Sequence, residues 1–188
     1  MTSRSALRLL LQAGLIFGLT AIQTACNRGK TMESVPTIEL KSPGFSGTIP
    51  NQFSSCAGQA NNSPPLSWQT PPTHTQSLAL IVTDPDAPGG TFTHWVLYDL
   101  PAETRELAQA IGKDEQLPNG SRQGINDFGE VGYDGPCPPG HSAHRYVFDL
   151  YALDAKLNLP ARAAKKKVLD AMKNHILAHG QLTGCYQR

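Results

Sequence analysis

The sequence predicts a mainly β domain with helix confined to its C-terminal part, and three stretches carry that reading. "SLALIVTD", Ser77 to Asp84, is apolar and β-branched on both alternating faces, the pattern of a strand covered on both sides and therefore central to its sheet. "THWVLYDL", Thr93 to Leu100, and "HRYVFDLYAL", His144 to Leu153, share that aromatic and β-branched character over similar lengths.

The chain opens with a segment that does not belong to the fold. Residues 1–25 carry Arg4 and Arg8, then a mostly apolar run from Leu9 to Ile22, then small residues, which is the layout of a bacterial export signal. Gln12 and Thr20 interrupt the run, and it is short for a membrane span. Cys26, after Thr24 and Ala25, resembles the lipidated cysteine of bacterial lipoproteins, although Gln23 stands where Leu, Val or Ile is expected. Lipidation, simple secretion and an uncleaved anchor stay open, and each places the protein outside the cytoplasm, periplasmic or membrane-anchored. Residues 26–37 are polar and without an apolar period, so they read as a tether. Residues 38–188 then make one domain, long enough to bury its own core. A net charge of +1 argues against an electrostatic nucleic-acid binder.

Within that domain, "TIELKSPGFS" and "PPLSWQTPP" predict short strands cut by proline and glycine, with Trp68 as a core aromatic. A short helix is expected over "AETRELAQAI", starting near Ala102. A longer helix is expected over Ala161 to Ala178, where Val168, Leu169, Met172, Ile176 and Leu177 form one stripe and Lys165 to Lys167 fall on a solvated face. Gly180 reads as its stop. Between these lies Pro118 to Ala143, with six glycines, four prolines and no sustained period. A structureless stretch of ~25 residues is uncommon in a compact domain unless it works, and Phe128 and Tyr133 argue against disorder.

With Cys26 set aside, Cys56, Cys137 and Cys185 allow three pairings in an oxidising compartment, and the reduced state is equally open. Cys56 and Cys137 are the preferred pair because both sit in loop-like, Gly- and Pro-rich text.

The polar residues converge on one rim. Asp84 closes a strand and His94 opens the next, so an antiparallel pair puts both side chains at the same end of the sheet. His144 also opens a strand, and alternation places Tyr146 on its face and Arg145 on the other. Imidazoles, a phenol and glycine-rich turns suit a small oxyanion. Asp84 would fix an imidazole's tautomer or take the cationic end of a zwitterion, and the prolines of "DPDAP" would hold it still. Taken singly, each residue also fits a structural role: turn hydrogen bonds for Asp84 and Asp86, a satisfied histidine, a core tyrosine.

"DPDAP", "THWVLYDLP", "GINDFGEVGYDGPCPP", "HRYVFDLYAL" and "HILAHGQLTGCYQR", in this order, resemble the bacterial, Raf kinase inhibitor-like branch of the phosphatidylethanolamine-binding protein family over about Ile38 to Arg188. The resemblance implies a mainly β fold with a large central antiparallel sheet, a second smaller sheet and peripheral C-terminal helices. It also implies a small rim pocket for phosphate-like, acetate-like or phosphoethanolamine head groups. Asp84, His94, His144 and Tyr146 match the family's pocket motifs, while Asp86, Gly135 and Pro136 fall in the matching turn and pocket wall. His141 is an additional imidazole without a counterpart in the eukaryotic members.

The function expected is non-enzymatic binding of a small anionic or phosphorylated ligand, regulatory or inhibitor-like towards a protein partner that the sequence does not identify, with no cofactor and no nucleic acid. The resemblance also leaves open protease inhibition through a surface loop. Hydrolysis by Asp84 and His94 on a water or Ser142 lacks nucleophile-elbow text. A metal held by Asp84, His94, His141 and His144 would rest on a weak His-x-x-His signal.

Overall fold

The structure, a computed structural model, describes residues 35–188. The export signal over residues 1–25, Cys26 and most of the tether over 26–37 lie outside the described residues. Eight strands and one helix follow: β1 Leu40–Lys41, β2 Leu66–Trp68, β3 Ser77–Asp84, β4 Phe92–Pro101, β5 Glu106–Leu107, β6 Arg122–Gln123, β7 His144–Leu153, α1 Lys165–Met172 and β8 Ile176–Tyr186. They form a five-stranded sheet in the order β6-β4-β3-β7-β8 and a three-stranded sheet in the order β1-β2-β5, with every strand pair antiparallel.

β3 is the middle strand, and its alternation explains why its sequence is apolar in both registers. Leu78, Leu80 and Val82 face a core shared with Trp95, Leu97, Phe148 and Leu150, closed over by Leu40, Leu66 and Trp68 of the small sheet and by Phe45, Ile49 and Phe53. Ala79 and Ile81 face the other way, onto a second core with Val96, Tyr98 and Leu153 that α1 covers with Val168 and Met172. Each face therefore removes apolar surface from water, at about 25 cal/mol per Å² buried.

Two helical expectations are corrected. The segment from Ala102 forms a turn and then β5, because Leu107 is buried beside its register partner Leu66 and the Thr104 carbonyl accepts the Trp68 indole N–H at 2.9 Å. The helix expected over Ala161 to Ala178 is only α1; Asn174 adopts φ 66 and turns the chain back into β8. β8 then pairs with β7 over nearly its whole length, so the later apolar residues serve a strand. Gly180 lies inside β8, where a Cβ would collide with the Ile38 carbonyl; its smallness serves close backbone approach, not a helix stop. Among the described residues, α1 is the one α-helix, and no helix is long and apolar enough to cross a membrane.

Phe148→Ala should lower the unfolding free energy by about 3–5 kcal/mol in urea denaturation, while Lys167→Ala on the exposed side of α1 should change it by less than about 0.5 kcal/mol. Equal, small losses from both would contradict the two-sided packing of the central sheet.

Candidate functional site

The β3–β4 connection is built around Asp84. One carboxylate oxygen accepts the Asp86 N–H at 2.8 Å, closing an Asx turn, and the other accepts from His144 Nδ1 at 2.8 Å. That second bond places the hydrogen of His144 on Nδ1 and joins the end of β3 to the start of β7. Both side chains are buried. Asp86 faces solvent, where its two oxygens meet Arg145 Nε and Nη2 at 2.9 and 2.6 Å and Oδ2 also accepts the Arg145 backbone N–H. This fork holds the Asp86 carboxyl well below the usual carboxylate range and straps the turn to β7. Being exposed, it adds little stability.

His94 has a different partner. Its Nδ1 lies 2.6 Å from the Asp134 carbonyl, and the Asp134 N–H returns a bond to the His94 carbonyl at 3.1 Å. A carbonyl only accepts, so Nδ1 carries the hydrogen. Burial pushes the imidazole below its ordinary value of 6.5, outweighing the Asp134 carbonyl and the charges of Asp84, Asp134 and Asp127, which pull the other way. The ring is packed by Phe92, Phe128 and Tyr146, with centroids at 5.3, 5.5 and 5.1 Å. Burial, followed by the neighbouring Asp84 charge, raises the Tyr146 phenol well above its ordinary value.

These groups surround an opening of about 590 Å³. Asp84, His94, Tyr146 and Asp127 supply its polar side chains together with Thr91; Ala87, Pro88, Phe92, Phe128, Pro138 and Pro139 supply its apolar walls. Among the described residues lining it there is no lysine or arginine. Gly89 and Gly90 line it too, where an absent side chain lets a ligand approach the backbone closely.

Of the residues singled out in the sequence, Asp84, His94 and Tyr146 thus share one pocket, and His144 stands behind Asp84. Asp86, Gly135 and Pro136 do not line it. Gly135 is pressed so closely on Phe53 that a Cβ would strike its carbonyl oxygen. The Gly135 carbonyl accepts Ser55 Oγ at 2.8 Å, and the Pro136 carbonyl accepts Ser54 Oγ at 2.7 Å. Cys137 follows immediately and is bridged to Cys56. This seam fixes the wall that continues into Pro138 and Pro139. Among the described residues Cys185 is the free cysteine, and it is exposed. His141 sits in an exposed turn outside the pocket, where its carbonyl accepts from Gln187. No group of three or more metal-binding side chains is gathered among the described residues.

Sequence reasoning missed Asp127 as a pocket group and Asp134 as its organiser. Both lie in "GINDFGEVGYDGP", whose glycines and prolines mark a working loop without saying which side chains turn inward. Asn126 sets that loop. Its side-chain oxygen Oδ1 accepts the Phe128 and Glu130 N–H groups at 3.0 Å, and its Nδ2 donates to Asp134 Oδ2 at 2.8 Å.

Residues 25–187 match the family described as phosphatidylethanolamine-binding protein. A UPF0098 protein of Methanothermobacter thermautotrophicus is 46% identical over 153 residues, covering 80% of this chain and 99% of the relative. A UPF0098 protein of Aquifex aeolicus is 49% identical over 142 residues, covering 74% and 81%. Two crystal structures are similar. One is a phosphatidylethanolamine-binding protein homologue from Chlamydia trachomatis, with TM-score 0.73 and 38% identity, covering 81% of this chain and 98% of the other. The other is E. coli YbcL, described as a member of the mammalian family, with TM-score 0.73 and 30% identity, covering 80% and 98%.

Because the folded His94 releases its proton more readily than the unfolded chain does, the stability gained by keeping it neutral is complete above about pH 6.5 and is lost as pH falls through the lowered folded value. Urea denaturation between pH 8 and 5 should show a shallower acidic decline in His94→Gln than in the wild type; parallel declines would contradict the burial argument.

Proposed function

The chain belongs to the phosphatidylethanolamine-binding protein family, and on that premise we propose that its pocket holds a small phosphorylated head group, phosphoethanolamine-like in size and charge, without turning it over. The observation that carries this reading is the convergence of Asp84, His94 and Tyr146, from three neighbouring strands, on one opening of about 590 Å³. The phosphate end fits the His94 and Tyr146 side, with the Gly89–Gly90 turn beside it. The ammonium end fits the carboxylate of Asp127, and the exposed ring of Phe128 offers it a cation–π face. Two carboxylates and no cationic side chain among the described lining favour a zwitterion over a bare dianion.

Binding is favoured over hydrolysis because Ser142, the serine the sequence offers as nucleophile, is exposed and does not line the pocket. The Asp84–His144 pair instead stiffens the floor. We also place the protein outside the cytoplasm. What supports this is the charge and hydropathy layout of residues 1–25 together with the Cys56–Cys137 bridge, which an oxidising compartment preserves. Cys26 is the proposed lipidation site.

Isothermal titration of the purified protein with O-phosphoethanolamine should give saturable binding that His94→Ala weakens about tenfold or more, worth ~1.4 kcal/mol, with circular dichroism unchanged. Unaltered affinity in the variant, or release of inorganic phosphate during the titration, would contradict the reading. For the anchor, fractionation of cells expressing the full chain should move the protein out of the membrane fraction on Cys26→Ala. Membrane recovery that survives the substitution would contradict lipid attachment there.

A further inference from the structure

The polar groups facing the pocket are mostly acceptors, and that imbalance decides which oxyanions it can hold. The Nδ1–H of His94 is committed to the Asp134 carbonyl at 2.6 Å, so in the neutral ring Nε2 carries a lone pair and no hydrogen. Among the described residues, no protein group hydrogen-bonds to Nε2, and the atom is not sealed from solvent. The carboxylates of Asp84 and Asp127 line the same space, while the side-chain donors there are the hydroxyls of Thr91 and of Tyr146, the latter turned towards Asp84. The charged and titratable groups around His94 come from every element packed on it. β3 gives Asp84; the loop after β6 gives Asp127 and Asp134; β7 gives Tyr146, with His144 behind Asp84. No lysine or arginine lines the pocket among the described residues to convert the site into an anion trap.

A fully ionised oxyanion entering this pocket turns lone pairs towards lone pairs. An oxyanion that still carries a proton turns its O–H to Nε2 of His94 or to a carboxylate, and keeps its remaining oxygens for Tyr146 and the glycine turn. Resting on the head-group reading above, we infer that the site selects protonated oxyanions, taking phosphate monoester monoanions and rejecting the sulfate esters that match them in size and shape. Asp84 and His94 are its specificity-determining residues. A site built to accept a hydrogen bond discriminates strongly against an analogue that cannot donate it, because the buried acceptor is left unpaired.

O-phosphoethanolamine and 2-aminoethyl sulfate are a matched pair for the test, sharing the ammonium and the tetrahedral anion while differing in the ability to hold a proton. Isothermal titration of the full chain at pH 5.5 and 7.5, at constant ionic strength, should show the phosphate ester binding at least about tenfold more tightly than the sulfate at pH 5.5. The phosphate ester should also weaken at pH 7.5 as its second ionisation, at about pH 6, removes the proton. Asp84→Asn, checked for folding by circular dichroism, should narrow the gap by removing a carboxylate charge that faces the anion. Equal affinity for both esters, or phosphate affinity that rises with pH, would overturn the selectivity while leaving the head-group reading intact. Absence of binding by either ester would overturn both.

Discussion

The pocket depends on Asp134, which acts through its backbone and its side chain at once. Its carbonyl fixes the His94 tautomer and its N–H returns a bond to the His94 carbonyl, so loop and strand are locked face to face. Its carboxylate, nearly buried, gathers Lys113 at 2.6 Å and the amides of Asn61 and Asn126 at 2.8 Å. Three donors on one carboxylate answer most of its lone pairs, so the charge is held without leaving a buried acceptor unpaired. Through Asn126 the same network shapes the turn that presents Asp127 and Phe128. A single residue thereby couples the chemistry of an imidazole on β4 to the course of a loop that has no regular structure of its own.

The wall opposite is held by other means. Tyr133 donates its hydroxyl to the Phe53 carbonyl at 2.8 Å, Ser54 and Ser55 bond the carbonyls beyond it, and the disulfide closes the seam at Cys137. The bridge spans 81 residues of sequence, a long loop whose closure restricts the unfolded chain considerably. Strand ends and Asp134 brace the polar floor and the Phe53–Ser55 seam braces the apolar rim, and Asn61 joins the two, donating to Asp134 Oδ1 while its Oδ1 accepts the Gly135 N–H and its backbone N–H reaches the Ser54 carbonyl.

Much of this was legible in the sequence, and the failures are instructive. β3 and β4 announced themselves because both faces of the sheet are covered there, which forces apolar residues in both registers, and β7 because its aromatic and β-branched residues alternate with half-exposed ones. The Cys56–Cys137 bridge agrees with the preferred pairing, although the spacing left the alternatives open. The C-terminal strand was misread as a continuing helix because Val168, Met172 and Ile176 keep a helical spacing across the Asn174 turn, and period alone cannot see a left-handed residue. In the site, the acid and the imidazoles were visible, but their partnership was not. Strand ends left open which imidazole Asp84 would hold; the pairing of β7 with β3 delivers it to His144. The Asp134 carbonyl, being backbone, left no mark in the residue pattern at all.

The central claim is that His94 meets its ligand as a neutral imidazole with a bare Nε2. Long-range proton–nitrogen correlation NMR of the histidine side chains, in ligand-free protein at pH 7, reads this directly. The account predicts a pyrrole-type Nδ1 and a pyridine-type Nε2 for His94. A protonated Nε2 at that pH, in either the opposite tautomer or the imidazolium, would contradict it.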